Sequence, residues 1–201
     1  MRVPDALFPT DNEFGIPLLR KDLQGRYVDM PVRGWGAVAR PSQMRGTWHF
    51  YVDDSKFTGL WKHPETVLKS KAYNCVEPNY TTDDQMPFAV SLYRTYMKRW
   101  LSRYWQEHGM CIFVDLNVAE PFDELNLTGV PKGWQSYATS ATDSKIWLLE
   151  QHAALANKHA DGNKINMLVY GGGKKVIALC GENDWVHIKD ARNAAKENKN
   201  G

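Results

Sequence analysis

Residues 86–117, MPFAVSLYRTYMKRWLSRYWQEHGMCIFVDLN, decide the fold. Over 86–108 the apolar positions Met86, Val90, Tyr93, Met97, Trp100 and Tyr104 recur at helical spacing, which predicts a long helix with that stripe turned to the core. Cys111–Asn117 follows as a short β-rich run (Cys111, Ile112, Phe113, Val114) that ends on Asp115 and Asn117. A helix that feeds a buried strand is the repeating unit of a parallel sheet covered by helices.

The same alternation extends in both directions. Before it come a strand at Trp48–Asp54, a helix over Thr58–Ser70 and a short strand at Asn74–Asn79. After it come a strand at Ser136–Ala141 and a helix over Asp143–His159 with Thr142 or Asp143 as its N-cap. A strand at Asn166–Tyr170, a helix at Lys174–Leu179 and a last strand at Trp185–Lys189 complete the series. The expected class is α/β, with a mostly parallel sheet of about six strands alternating with helices, either open and doubly wound or an incomplete barrel. Residues 1–45 have no clear period and carry Pro4, Pro9, Pro17, Pro31 and Pro41. They read as an irregular segment wrapping the domain, with short strands near Gly15–Leu19 and Gly34–Ala39. The α/β domain is expected over 46–190, and residues 191–201 read as a polar tail that frays from a short helix.

Lys plus Arg total 25 and Asp plus Glu 23, a net charge of +2, so whole-molecule charge does not drive contact with nucleic acid and only a local patch can. No stretch approaches the roughly 18 apolar residues of a membrane span, and the first residues lack the apolar run of a secretion signal, which leads to an expected cytoplasmic location. Cys75, Cys111 and Cys180 are widely spaced and read as buried free thiols. The six histidines have no zinc-ligand spacing, so no metal ligands are assigned.

Ligands of parallel α/β folds bind where the strands end. Those ends carry Asp53, Asp54, Glu77 and Asp115, a series of carboxylates that repel one another unless used. They are therefore candidate catalytic groups for proton transfer or for holding a divalent cation such as Mg²⁺. Asn79, Tyr170 and Gly171 share these ends as candidate ligand contacts. The helix over 86–106 lacks acids and gathers Arg94, Lys98, Arg99 and Arg103 around Trp105, a pattern suited to holding phosphates and stacking a base. Gly171-Gly172-Gly173-Lys174-Lys175 after a strand offers backbone amides to a phosphate, though it is neither a P-loop nor a dinucleotide fingerprint.

Several separated motifs resemble the domain of unknown function 4417 family. These are His49–Phe57 (HFYVDDSKF) with Leu60-Trp61 and His63-Pro64-Glu65, then Glu77-Pro78-Asn79-Tyr80, Met86-Pro87, Tyr96, Arg99-Trp100, Tyr104-Trp105-Gln106 and Gly109. Phe14-Gly15-Ile16-Pro17 and Val169-Tyr170-Gly171 match its two ends, so the resemblance spans about residues 14–171. The segment Thr81–Gln85 and the Val114–Asn117 stretch depart from the pattern. The resemblance implies a phage or mobile-element setting, supplies no catalytic residues, and adds Tyr96 and Gln106 to the candidate ligand contacts. Three readings stand open. One is a nucleic-acid-associated protein acting through the basic helix, and another a hydrolase or lyase taking a small sugar or phosphorylated ligand such as a nucleotide at the strand ends. The third is a non-catalytic protein that binds and inhibits a host factor through exposed aromatics.

Overall fold

The computed structural model describes residues 7–36 and 43–190. Seven parallel strands run β1 Val32–Gly34, β2 Thr47–His49, β3 Asn74–Val76, β4 Cys111–Asp115, β5 Ser136–Ser140, β6 Asn166–Tyr170 and β7 Val186–Ile188, and each pairs with the next in sequence. A doubly wound sheet reverses its strand order at a switch point. This one never does, so it curls in one direction into a nearly closed barrel. The rings of His49 on β2 and Tyr170 on β6 meet across it, with centroids 4.5 Å apart.

The helices are α1 Glu65–Leu68, α2 Phe88–Glu107, α3 Asp123–Asn126, α4 Ile146–His159 and α5 Lys174–Glu182. The helix expected over Thr58–Ser70 is instead a 3₁₀ turn at Thr58–Trp61 followed by the single turn α1, with Pro64 between them unable to supply an amide to a continuing helix. The strand expected near Gly15–Leu19 is irregular chain. The one near Gly34–Ala39 ends at Gly34 and begins earlier, as β1; its residues 37–39, like the expected tail at 191–201, lie outside the described residues. The expected division at 45/46 runs between β1 and β2, which pair from Val32↔Thr47 to Gly34↔His49.

Strand periodicity sorts the core into two compartments. Trp48, Cys75, Ile112, Val114, Tyr137, Met167 and Val169 face the helices in the larger apolar cluster. Val76, Phe113, Ala138 and Leu168 fill the lumen, with Val32, Tyr51 and Ile188 packed against them. The N-terminal end of the barrel is closed by chain rather than by side chains. Gly25 N–H donates to Ile112 O at 2.9 Å, Asn74 Nδ2 donates to Tyr27 O at 2.9 Å, and Asn166 Nδ2 donates to Arg26 O at 3.0 Å. The Ser136 hydroxyl donates to Gly25 O. The inward polar residues at the starts of β3, β5 and β6 thus satisfy the backbone of a plug.

The plug fits because Gly25 has no side chain: a Cβ there would lie 2.2 Å from the Phe113 ring. Gly25→Ala is expected to lower stability by about 1–3 kcal/mol, the usual cost of overpacking. Adding Phe113→Leu should recover part of the loss, read as the urea midpoint of the single and double variants.

Candidate functional site

The C-terminal mouth of the barrel opposes this plug. His49 and Tyr51 reach it from the end of β2, and Tyr170 from the end of β6. His49 and Tyr51 stack with centroids 5.6 Å apart and planes 27° apart, and Tyr51 and Tyr170 stack at 5.5 Å and 17°. Together with the His49–Tyr170 contact these rings form an aromatic layer across the top of the lumen. Tyr51 and Tyr170 are only half-buried, so the layer borders the mouth.

A polar chain runs beside the rings. The Tyr51 hydroxyl donates to Asp115 Oδ1 at 3.1 Å, and Lys98 Nζ donates to Asp115 Oδ2 at 3.2 Å and to Asp115 O at 3.1 Å. Asn117 N–H also donates to Asp115 Oδ1, at 3.2 Å. Lys98 and Asp115 are 3% and 0% exposed, so the pair is an ion pair outside water. Burial, then the Asp115 charge, push the Tyr51 hydroxyl well above its ordinary range, so it keeps its proton at neutral pH. Burial pushes His49 down to about 4. Its Nδ1 accepts the Tyr51 backbone N–H at 3.2 Å, so the neutral ring carries its proton on Nε2.

Asn117, whose N–H reaches Asp115, also lines a cleft of about 470 Å³ together with Asn79, Glu120, Asp84, Lys145 and Trp147 among others. Ser140 Oγ donates to Asn117 Oδ1 at 3.0 Å, and Asn117 Nδ2 donates to Asn79 Oδ1 at 3.3 Å, tying β3, β4 and β5 together at its inner end.

Of the four candidate carboxylates, only Asp115 reaches the mouth. Glu77 is outside the lumen, paired with Arg99 of α2, and accepts Asp115 N–H at 3.3 Å. Asp53 caps a 3₁₀ turn through Ser55 N–H at 3.0 Å, and Asp54 accepts from Thr81 Oγ1 at 2.9 Å, lacing two loops together. No group of three or more His, Cys, Asp or Glu that could hold a metal ion occurs among the described residues. The Asp115 oxygens already receive Lys98, Tyr51 and Asn117, so the donor set does not fit Mg²⁺. Gly171 belongs to the mouth through its backbone, where its carbonyl accepts from His187 Nε2 at 2.9 Å.

The basic helix is turned the other way from its expected orientation. Lys98, Arg99, Arg103 and Trp105 are 3%, 0%, 8% and 0% exposed, so they offer nucleic acid no surface, and Arg94 is half-buried. Arg99 pairs with Glu77 and donates from Nε to Thr128 O at 3.1 Å. Arg103 pairs with Glu107 and lies over the Phe8 ring, and Trp105 Nε1 donates to Pro64 O at 2.9 Å. Gln106 is a clamp rather than a ligand contact: it donates from Nε2 to Arg20 O at 2.9 Å and Leu23 O at 3.1 Å. Tyr96 packs edge-on against Trp61, away from the mouth. The apolar stripe of α2 faces partly outward, with Val90 exposed and Tyr93, Met97 and Tyr104 half-buried. The triple glycine likewise receives no free anion, because Asp143 Oδ1 accepts Gly173 N–H at 2.8 Å and Val176 N–H at 3.2 Å.

Sequence reading placed Asp115, Asn79 and Tyr170 at this end but passed over His49 and Tyr51. Their shared parity at the end of β2, two apart like Phe113 and Asp115, is the signal that assigns both to the lumen.

The sequence matches the family described as Domain of unknown function (DUF4417) over residues 8–150, from the segment before β1 into α4. The chain belongs to that family. The DUF4417 match takes in His49, Tyr51, Asn79, Lys98, Asp115, Asn117 and Ser140, and leaves Tyr170 beyond its end. The Gene 1 protein of Mycobacterium phage D29 is 29% identical over 133 residues, covering 63% of this chain and 48% of the phage protein. The Gene 1 protein of Mycobacterium phage L5 is 32% identical over 92 residues, covering 44% of this chain and 40% of the phage protein. The chain therefore spans less than half the length of these curated relatives, and the phage setting implied by the motifs holds for both. No solved structure matches the chain. No helix among the described residues is long and apolar enough to cross a membrane.

Two outcomes follow from this DUF4417 geometry. Arg99→Met strands the buried Glu77 carboxylate and should cost about 3–5 kcal/mol, whereas Glu77→Gln with Arg99→Met should cost less than the single change, measured by urea unfolding. His49 and His152, each pushed by burial from 6.5 to about 4, stay neutral in the fold. The unfolded chain binds more protons below pH 6.5, so stability is full above that pH and falls toward pH 4. Each histidine contributes a slope of about 1.4 kcal/mol per pH unit. Replacing either by Gln should remove its share of the slope, seen by repeating the unfolding across that range.

Proposed function

We propose that the chain takes a small polar ligand of the sugar or nucleotide class at the C-terminal mouth of the barrel and acts on it as a hydrolase or lyase. The observation that carries this reading is the Tyr51–Asp115–Lys98 chain, a buried charged group spent on one side by a lysine and directed on the other at the hydroxyl of a half-buried tyrosine. Lys98 Nζ holds one Asp115 oxygen and the other accepts a hydrogen bond from the Tyr51 hydroxyl, which leaves the lone pairs of the Tyr51 oxygen to receive a second donor.

The raised Tyr51 excludes a standing phenolate. The chemistry is then a relay: Tyr51 Oη takes the proton of a ligand hydroxyl as its own proton passes to Asp115 Oδ1. Glu77 is committed to Arg99, so a pair of carboxylates flanking a glycosidic bond does not form here. Asn79, Asn117 and Ser140 supply the orienting contacts.

The test is a thermal-shift and calorimetric panel of monosaccharides, nucleosides and nucleotides on the full chain, with turnover followed by product analysis. A ligand at about 100 times its Kd stabilises the fold by about 2.7 kcal/mol. Tyr51→Phe, which keeps the ring and removes the hydroxyl, should abolish turnover, and Ser140→Ala should weaken binding. A ligand whose binding and turnover ignore both changes would place the site elsewhere, and the absence of any ligand across the panel would overturn the reading.

A further inference from the structure

Resting on that reading, we propose that the mouth is a nucleoside site, in which a purine or pyrimidine base stacks on the Tyr51–Tyr170 layer and the uncharged groups around it read the base and ribose. Three observations converge on this class.

The first is shape. Tyr51 and Tyr170 come from opposite sides of the barrel yet lie within 17° of parallel, and both are half-buried at the mouth. A sheet wall that merely filled its lumen would bury such rings among branched aliphatic side chains, as it does one layer below with Val76, Phe113 and Leu168. A stacked, near-parallel pair bordering an opening offers its outer ring face to a further ring, and a planar heterocycle extends such a stack far better than a pyranose does.

The second is the polarity of the hydrogen-bonding groups. His49 is neutral, with Nδ1 accepting a backbone N–H and its proton therefore on Nε2, and it is 3% exposed, so it backs the site without adding charge. The linked side chains of Ser140, Asn117 and Asn79 extend the series along the cleft. Asn117 and Asn79 each combine donor and acceptor on one planar amide, the pattern that pairs with base edges and vicinal hydroxyls.

The third is charge. The buried cations of α2, Lys98 and Arg99, are consumed by Asp115 and Glu77. Lys145 in the cleft wall is matched against Asp84 and Glu120 in the same wall, so the cleft carries more acid than base. The other anion-binding element, the start of α5, is occupied by Asp143. Within this cleft a phosphorylated ligand meets more acid than base, which favours the uncharged nucleoside.

The experiment titrates the full chain with adenosine, guanosine, cytidine and uridine, each beside its 5′-monophosphate, with ribose and glucose as sugar probes. Binding is followed by calorimetry and by ligand-observed NMR. At least one nucleoside should bind tenfold or more tighter than its monophosphate and than either sugar. Its base protons should move upfield on binding through the ring current of the stacked tyrosines, a readout that needs no variant. Tyr170→Ala should weaken that nucleoside by about tenfold or more while Tyr170→Phe retains it. A sugar that binds at the mouth while every nucleoside fails would overturn the nucleoside assignment and leave the proposed site standing. Nucleoside binding without an upfield shift, or tighter binding of the monophosphate, would overturn the stacking and the charge argument respectively. No binding by any probe would overturn the assignment together with the reading beneath it.

Discussion

Two adjacent cations on one helix, Lys98 and Arg99, are held out of water, and the rest of the structure is arranged around that constraint. Each buried ion costs several kcal/mol unless a partner and further hydrogen bonds meet it. Lys98 finds both the carboxylate and the carbonyl of Asp115, and Arg99 finds Glu77 and the carbonyls of Asn126 and Thr128. These partners sit at the ends of two neighbouring strands and in the chain around α3. The two pairs thereby fix how α2 is rotated, how far it slides along the barrel, and where the chain after β4 must turn. Glu77 also accepts Asp115 N–H, so the two pairs brace each other. Asp115 is aimed at Tyr51 because the opposite side of its carboxylate is taken.

That constraint explains why the class of fold was legible in the sequence and the orientation of its main helix was not. Periods of 3.6 and 2 are written into α2, β4, α4 and β6, and their alternation gives a parallel sheet. The hydrophobic stripe of α2, however, assumes that charged residues face water. Here Ser91, Thr95, Lys98, Arg99, Ser102 and Gln106 are turned in, since small residues permit close approach and the charged ones meet partners far away in sequence. Tyr93 and Tyr104 are left to pack beside loops, around Trp61 and Trp100. No local pattern reports a salt bridge between residues 22 apart, such as Glu77 with Arg99.

The candidate site was half legible for a related reason. Strand ends point to ligand contacts, and Asp115, Asn117, Asn79 and Tyr170 do lie there. The Asp53-Asp54 doublet misleads because it stands just past a strand end, where Asp is equally suited to receive turn amides, and it does so through Ser55 and Thr81. His49 and Tyr51 escape notice because β2 reads as a continuous aromatic run, Trp48 to Tyr51, in which inward and outward residues look alike. Only the pairing of β2 with its neighbours assigns Trp48 and Phe50 to the helices and His49 and Tyr51 to the lumen.

The two ends of the barrel then differ in a way that bears on chemistry. At the N-terminal end, the backbone of residues 24–27 is held by hydrogen bonds from Asn74, Ser136 and Asn166 and by the close approach of Gly25 to Phe113, which fills the lumen there and leaves an outer cleft of about 590 Å³ against the plug. At the C-terminal end, the rings of Tyr51 and Tyr170 close the top of the lumen, so the proposed ligand would lie against them instead of entering it. Near that place Asp115 is matched by Lys98, and the amides at the start of α5 are taken by Asp143. The proposed ligand would then be held by shape, by stacking and by uncharged donors and acceptors. That arrangement favours discrimination between planar polar molecules over capture of charged ones, because a neutral group left unpaired in a partly buried site penalises the wrong ligand without attracting every anion that passes.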